Sequence, residues 1–357
     1  MLDSFGPVDG QAYPMQLFGS ALAIDLGTAN TRLWARDQTP MVREASAVAY
    51  MRGRSRVIAL GSEARDMARR QAENIDVVDP IARGTVASFS AAVTMMRAFL
   101  RKAMPTRPVF SPTAVVAAPA ETTGVEYRAL RDVLRAAGIS RVYSVPKSLA
   151  ACIGAGLPLD HPESVLVIDL GAGVTEIAVV ALGMATASSS MATGGIDIDE
   201  ALRRYLWRTL GVRLSRASAE DIKLRVGSTD PAMVDDTLDL SALTPPGVET
   251  KVSARELAGV LEERMEPLID EVSWVLGQLG PKQQSEIQGN GGVLTGGGAL
   301  LRGLPEMLSA RLGIRLVAAE DPLSATVLGL SAVASDIKNR AFDEAKLERM
   351  GVQGFHA

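Results

Sequence analysis

The sequence predicts an α/β fold of two similar halves, each a mixed sheet flanked by helices. Three observations carry that expectation. The stretch ALAIDLGTANTRLWARD, residues 21–37, runs apolar strand, acid, small-residue turn, strand. VLVIDLGAGVTEIAVVAL, residues 165–182, writes the same shape again. Strand-like runs then alternate with segments of 3.6-residue apolar period, the signature of layered sheets and helices. At 357 residues the chain also exceeds what one core usually organises, so two domains are expected.

The elements follow in order. Residues 1–17 read as a loose arm carrying Gly6, Pro7, Gly10 and Pro14. Residues 21–26 and 31–35 form a hairpin, and 46–50 with 56–59 a second short pair. Residues 62–70 are helix-like, Pro80 and Gly84 mark a turn, and Val93, Met96, Phe99 and Leu100 give the period of a helix over 89–103. A proline-rich loop precedes a buried strand at 114–118. Residues 124–137 form a helix that Gly138 ends, 142–145 a strand and 147–156 a helix. The second half opens with strands at 165–169, 176–182 and 186–191, then a helix over 199–210. Ser218, with Asp221 three residues on, is read as the cap of the next helix. Residues 228–250 are read as a short extended pair, and Ser253 with Glu256 as the capping box of a long helix containing Pro267. A strand at 292–294 runs into three glycines and a helix over 300–312, followed by a strand at 315–317 and a helix at about 324–334. The last residues read as a short helix with a frayed tail.

Composition narrows the function. Thirty-seven basic against 41 acidic residues give net −4 and no global pull toward nucleic acid. The single Cys152 and two histidines, His161 and His356, exclude a disulfide framework and leave little for zinc. No apolar run reaches the roughly 18 residues of a membrane span, and no leader is recognisable, so a cytoplasmic protein is expected.

The small-residue turns carry the chemistry. Gly27, Thr28, Ala29 and Asn30 follow Asp25; Gly171, Ala172 and Gly173 follow Asp169. Such turns point backbone amides at phosphate. A carboxylate at the mouth would repel phosphate unless a divalent ion or its waters lay between, so Asp25 and Asp169 are read as flanking a metal. One such turn is as well explained by a tight hairpin; two invite a clamp. Neither is a Walker loop, because no Gly-Lys-Ser/Thr follows, and neither is a dinucleotide fingerprint, because a strand follows the turn. Gly296, Gly297 and Gly298 leave room for a flat ring. Glu220 and Lys223 share a helical face and either hold ribose or base edges or form a solvated pair.

IDLGTANT, DPIARGTVASF, VIDLGAGVTEIAVVALG, TGGIDIDEAL, AEDIKLRVGS and VLTGGGALLRGLPEMLSARLG together resemble the bacterial actin MreB family of the actin/Hsp70/sugar-kinase superfamily, in order and spacing over residues 21–333. The resemblance implies an actin-like, ribonuclease H-like pair of domains, here 1–157 and 158–357, with small subdomains at about 34–85 and 194–255. It implies ATP or ADP with Mg2+ in the cleft, self-assembly into filaments, and peripheral attachment to the inner face of the membrane beside cell-shape or wall-synthesis proteins. Thr28, Ala29 and Asn30 behind Asp25, and Gly171, Ala172 and Gly173 behind Asp169, become the phosphate loops. Glu220 and Lys223 take the nucleoside, Gly296 to Ala299 close the adenine side, and Thr175 positions a water.

The sequence also departs from that family. Pro146 and Lys147 stand where it usually carries an acidic pair, one acid of which helps place the attacking water. At most a weak ATPase is expected. Lys147 either faces solvent or lies near the phosphates. Ala172 and Val174 replace a family glycine and threonine. Val109 and Phe110, ringed by Arg101, Lys102 and Arg107, form a candidate lipid-contacting tip, with basic residues adding roughly 1 kcal/mol each near anionic lipid. The alternative is a hydrolysis-deficient pseudo-actin that co-assembles with a true filament former.

Overall fold

The structure, a computed structural model, describes residues 21–35, 38–70, 72–104, 112–157, 162–230, 237–241, 250–339 and 350–355. The arm at 1–17 and the tip at Val109 and Phe110 lie outside the described residues, as does much of the 228–250 segment.

The first half runs β1 (Ala21–Leu26), β2 (Asn30–Ala35), β3 (Gln38–Ala45), β4 (Val48–Met51) and β5 (Val57–Leu60). It continues through α1 (Ser62–Arg69), β6 (Ile75–Val78), β7 (Ile81–Ala82), β8 (Thr85–Val86), α2 (Phe89–Ala103), β9 (Thr113–Ala118), α3 (Gly124–Ala137), β10 (Arg141–Pro146) and α4 (Lys147–Gly154). The second half opens with β11 (Val165–Leu170), β12 (Thr175–Ala181), β13 (Met184–Met191), α5 (Gly195–Leu210), α6 (Arg216–Val226), β14 (Thr237–Asp239) and β15 (Lys251–Ser253). Then come α7 (Ala254–Gly277), α8 (Pro281–Asn290), β16 (Gly292–Thr295), α9 (Leu304–Leu312), β17 (Leu316–Ala318), α10 (Ala325–Asn339) and β18 (Gln353–Phe355).

The duplication is explicit in the sheets. The first is ordered β18-β10-β9-β1-β2-β3 and the second β13-β12-β11-β16-β17. Without β18, each is an antiparallel meander of three strands whose first strand also pairs in parallel with a later one. Even the acid keeps its register: Asp25 lies opposite Arg32, and Asp169 opposite Glu176. Small subdomains project from each lobe. One is the sheet β5-β4-β6 with α1; the other includes α6 and the pair β14-β15.

Local signals explain most boundaries. Thr123 and Glu126 form a capping box at the start of α3, and Gly138 ends it at φ 113°. Ser253 and Glu256 form the expected box on α7, which runs through Pro267. The cap of α6 is Ser215, not Ser218: the Ser215 side chain accepts the Ser218 N–H. The helix after the triple glycine begins at Leu304, because Gly297–Leu300 closes a separate 3-10 turn and Gly303 (φ 75°) turns the chain between them. β3 belongs to the main sheet, so the first small subdomain starts later than residue 34. The tail departs further from expectation. Gln353–Phe355 is a strand on β10, and α10 packs on β1 and α4, so the chain returns to the first lobe and a linear boundary at 157/158 does not divide the domains.

Between the sheets lies a third core built from α4 and α10, with Leu149, Ala150, Val327 and Leu330 fully buried. The two helices cross backbone to backbone. A Cβ on Gly154 would strike the Ala325 carbonyl, and one on Gly329 the Ala150 carbonyl. Gly329→Ala is therefore expected to lower stability by about 3 kcal/mol, an overpacking penalty against rigid backbone. An unchanged thermal midpoint would show that the helices are not in contact there.

Candidate functional site

The two acid-led turns are built alike. The Gly27 N–H donates to the Asn30 carbonyl at 3.1 Å, and the Gly171 N–H to the Val174 carbonyl at 3.0 Å. A Cβ on Gly27 or on Gly171 would lie 2.6 Å from that same carbonyl oxygen, so each turn closes only on glycine.

Their carbonyls are fastened outward. In the first turn the Gly27 carbonyl accepts from the Ser46 hydroxyl at 2.6 Å and the Ala29 carbonyl from the Ser46 N–H at 2.8 Å. In the second, the Gly171 and Ala172 carbonyls accept from Gly195 N–H at 3.0 Å and Ile196 N–H at 2.9 Å, at the start of α5. A trans peptide directs its N–H opposite its C=O. The amides of Thr28, Asn30, Ala172 and Gly173 therefore face away from these anchors, and all four residues line one cavity. Arrays of this kind bind anions. The turns meet across the cleft. The Thr28 hydroxyl accepts the Gly84 N–H at 3.1 Å and stands 2.8 Å from where a Cβ on Gly173 would lie.

The cavity holds about 950 Å³, at the upper end of the range for small-molecule sites. Asp25, Thr28, Ala29, Asn30, Asp169, Gly171, Ala172, Gly173, Glu220, Lys223, Gly296, Gly297 and Gly298 all line it. Gly296 is held at φ 78° with no room for a Cβ, which would lie 2.8 Å from Asp169 Oδ1. Leu224 and Leu300, unusually exposed for leucine, give its mouth an apolar face. Two expected residues lie elsewhere. Ala299 is the buried residue of the 3-10 turn and does not line the cavity. Thr175 is buried, and its hydroxyl donates to the Thr193 carbonyl at 3.0 Å.

Charge is concentrated at the turns. Asp25, Asp169 and Glu176 are all buried. Lys147, the first residue of α4, is drawn in to meet them: its Nζ lies 2.8 Å from Asp169 Oδ2, with 17% of its side chain exposed. Of the two sequence readings of Lys147, solvent-facing or drawn inward, the structure shows the second, beside the acid-led turns. Burial by itself would lower the Lys147 pKa, but the charges of Asp169 and Asp25 outweigh it and hold the ammonium above the ordinary lysine range. Burial raises the Asp25 carboxyl, opposed by Lys147 and by Arg32, whose Nη1 is 3.6 Å away. Burial also raises Glu176, whose two oxygens accept from Ser190 Oγ at 2.6 Å and Ala120 N–H at 3.0 Å.

The two carboxylates expected to flank a divalent cation are already committed to other partners. Magnesium beside a nucleotide takes its oxygens from one or two carboxylates, water and phosphate. Asp169 Oδ1 accepts from Thr295 Oγ1 at 2.9 Å, and its other oxygen faces the Lys147 ammonium. Asp25 faces Arg32. The water-bridged metal expected between Asp25 and Asp169 meets cations of the chain itself.

Toward the mouth, Lys223 pairs with buried Asp199 at 2.8 Å and donates to the Gly195 carbonyl at 3.0 Å. Glu220 faces Arg69 of the other lobe at 3.9 Å, and three further bridges cross the cleft: Arg69–Asp221 at 3.5 Å, Arg216–Asp79 at 3.4 Å and Arg83–Asp197 at 2.9 Å. Sequence reading missed Ser46, Arg32 and Asp199, whose roles arise only from long-range packing. Arg83 and Asp197 had a signal, lying inside the DPIARG and TGGIDID stretches.

Duplicated meander sheets, each ending its first strand in a phosphate-type turn, with both turns closing on one cleft, define the actin-like class of two-lobed proteins. The comparisons agree. The model of the MreB/Mbl protein family matches residues 19–341. The chain is 35% identical to the cell shape-determining protein MreB of Escherichia coli (strain K12), covering 88% of this chain and 92% of that one. It is 29% identical to the cell shape-determining protein Mbl of Bacillus subtilis (strain 168), covering 90% and 97%. The structure of MreB 5 of Spiroplasma citri bound to AMPPNP superposes with a TM-score of 0.85 at 26% identity, covering 90% of this chain and 98% of that one. The chain belongs to the MreB/Mbl family.

Asp169→Ala strands the Lys147 ammonium in a buried site, and a loss of about 3 kcal/mol is expected, read from the urea midpoint without added ligand. A midpoint unchanged from wild type would mean that the pair contributes nothing. Asp197 gives a pH dependence. Burial alone would raise its pKa, but hydrogen bonds from Arg83 and the Gly194 N–H and the Arg83 charge bring it below the ordinary 3.8. Its contribution is therefore present above pH 3.8 and lost as pH falls through the lower folded value. Arg83→Ala is expected to flatten that acid limb of stability against pH; an identical limb in the variant would remove the bridge from the closure.

Proposed function

We propose that this chain binds ATP or ADP in the cleft, assembles copies of itself into filaments that organise cell shape, and turns ATP over slowly. One observation carries the binding: two hairpin turns from opposite lobes direct their amides into a single cavity. Its apolar mouth, with Leu224 and Leu300 beside Gly296–Gly298, suits a flat base, and Glu220 and Lys223 suit the ribose. The related Spiroplasma citri protein is described as bound to AMPPNP, and the Escherichia coli relative as cell shape-determining.

Slow turnover follows from the hydrolysis side. Pro146 and Lys147 offer no carboxylate, both Glu176 oxygens are engaged, and the Thr175 hydroxyl donates to a carbonyl. Neither Thr175 nor Glu176 lines the cavity, and no carboxylate stands at positions 146 and 147 to orient an attacking water, which is the protein's main task in phosphoryl transfer to water. The same observation favours a second reading, a paralogue that enters a true filament without hydrolysing. Peripheral attachment to the inner membrane surface, with Val109 and Phe110 as the apolar tip and cell-shape or wall-synthesis proteins as partners, rests on the sequence resemblance. No described helix is long and apolar enough to cross a membrane.

Ultracentrifugation with and without ATP, with released phosphate measured in the same tubes, tests this. ATP-dependent pelleting with far less than one phosphate per subunit is expected. A sharp monomer peak in ATP would remove self-assembly, and pelleting only with an added MreB would select the second reading. Rapid stoichiometric phosphate release would overturn the slow-turnover claim.

A further inference from the structure

We infer that the Lys147 ammonium takes the charge-neutralising place of the divalent cation, so that this chain binds its nucleotide without Mg2+. The inference rests on the nucleotide reading above and goes beyond it by assigning the counter-cation to the chain.

Four observations combine. Lys147 Nζ is 2.8 Å from Asp169 Oδ2, on the oxygen that would otherwise face a metal or its water shell. The same nitrogen lies 3.5 Å from where a Cβ on Gly171 would sit, so it stands over the second phosphate turn and not merely near it. It begins a helix, a position whose dipole disfavours a cation. The buried acids Asp25, Asp169 and Glu176 supply the opposing attraction. Finally, Arg32 lies 3.6 Å from Asp25, so each expected metal carboxylate already has its own cation.

The physics then selects between two cations. A triphosphate entering beside buried carboxylates needs positive charge close to its oxygens. An ammonium supplies it with three donors and no demand for octahedral oxygen ligands. A magnesium ion arriving with the nucleotide would have to approach a fixed positive charge at short range or displace it from Asp169. Lys147 also comes from the first lobe and Asp169 from the second, so the pair ties the lobes around the phosphates.

The test measures binding of a fluorescent ATP analogue to the full chain in excess Mg2+ and in excess EDTA. Wild-type dissociation constants in the two media are expected to agree within about threefold, whereas Lys147→Met should weaken binding in EDTA by more than about tenfold and recover part of it with Mg2+. The variant keeps the aliphatic stem, and its thermal melt is recorded beside the titration. The wild-type arm needs no variant: a loss of more than about threefold on adding EDTA overturns the inference. A folded Lys147→Met that binds in EDTA as tightly as wild type also overturns it. No binding in either medium brings down the nucleotide reading itself, which distinguishes that failure from this one.

Discussion

A planar trans peptide cannot offer its carbonyl and its amide to the same side, and the cleft of this protein is organised by that constraint. Ser46 holds two carbonyls of the first turn outward, and the start of α5 does so for the second. The amides are left facing a common space. The glycines follow from this, since Gly27 and Gly171 close turns that a Cβ would block. The contact between Thr28 and Gly173 follows as well, because turns presented to one cavity from opposite lobes meet at its floor.

The amides invite anions, yet the same two turns begin with buried aspartates, and the register of the second places Glu176 opposite Asp169. Leaving several buried carboxylates without counter-charge is prohibitive. Arg32 answers Asp25 from its cross-strand position. The second lobe puts an acid at the equivalent place, and its positive charge arrives from the other lobe on Lys147. The unequal partners of two otherwise matching hairpins explain why the cation is needed where it is found.

Much of this was legible from residues alone. The two turns, their acids, the helix at 124–137 and the box at Ser253 are local patterns with local causes, and the structure has them in place. What was not legible depended on distance along the chain. Ser46 is an ordinary serine until the first turn folds onto it. Lys147 reads as either exposed or buried, since nothing near it in sequence reveals Asp169. The helix expected at residue 300 gives way to a 3-10 turn because the glycines pack under Leu170, a contact from another strand. The tail's return as β18 is only three residues, Gln353–Phe355, too short a run to signal a strand; the edge of β10 supplied the partner.

The crossing of α4 and α10 at Gly154 and Gly329 has no room for a side chain. Leu149, Val327 and Leu330 are buried around it. Lys147 heads the shorter helix, about 10 Å from that crossing at 1.5 Å per residue. Where the ammonium sits in the cleft is thus inherited from a bare-backbone contact most of a helix away.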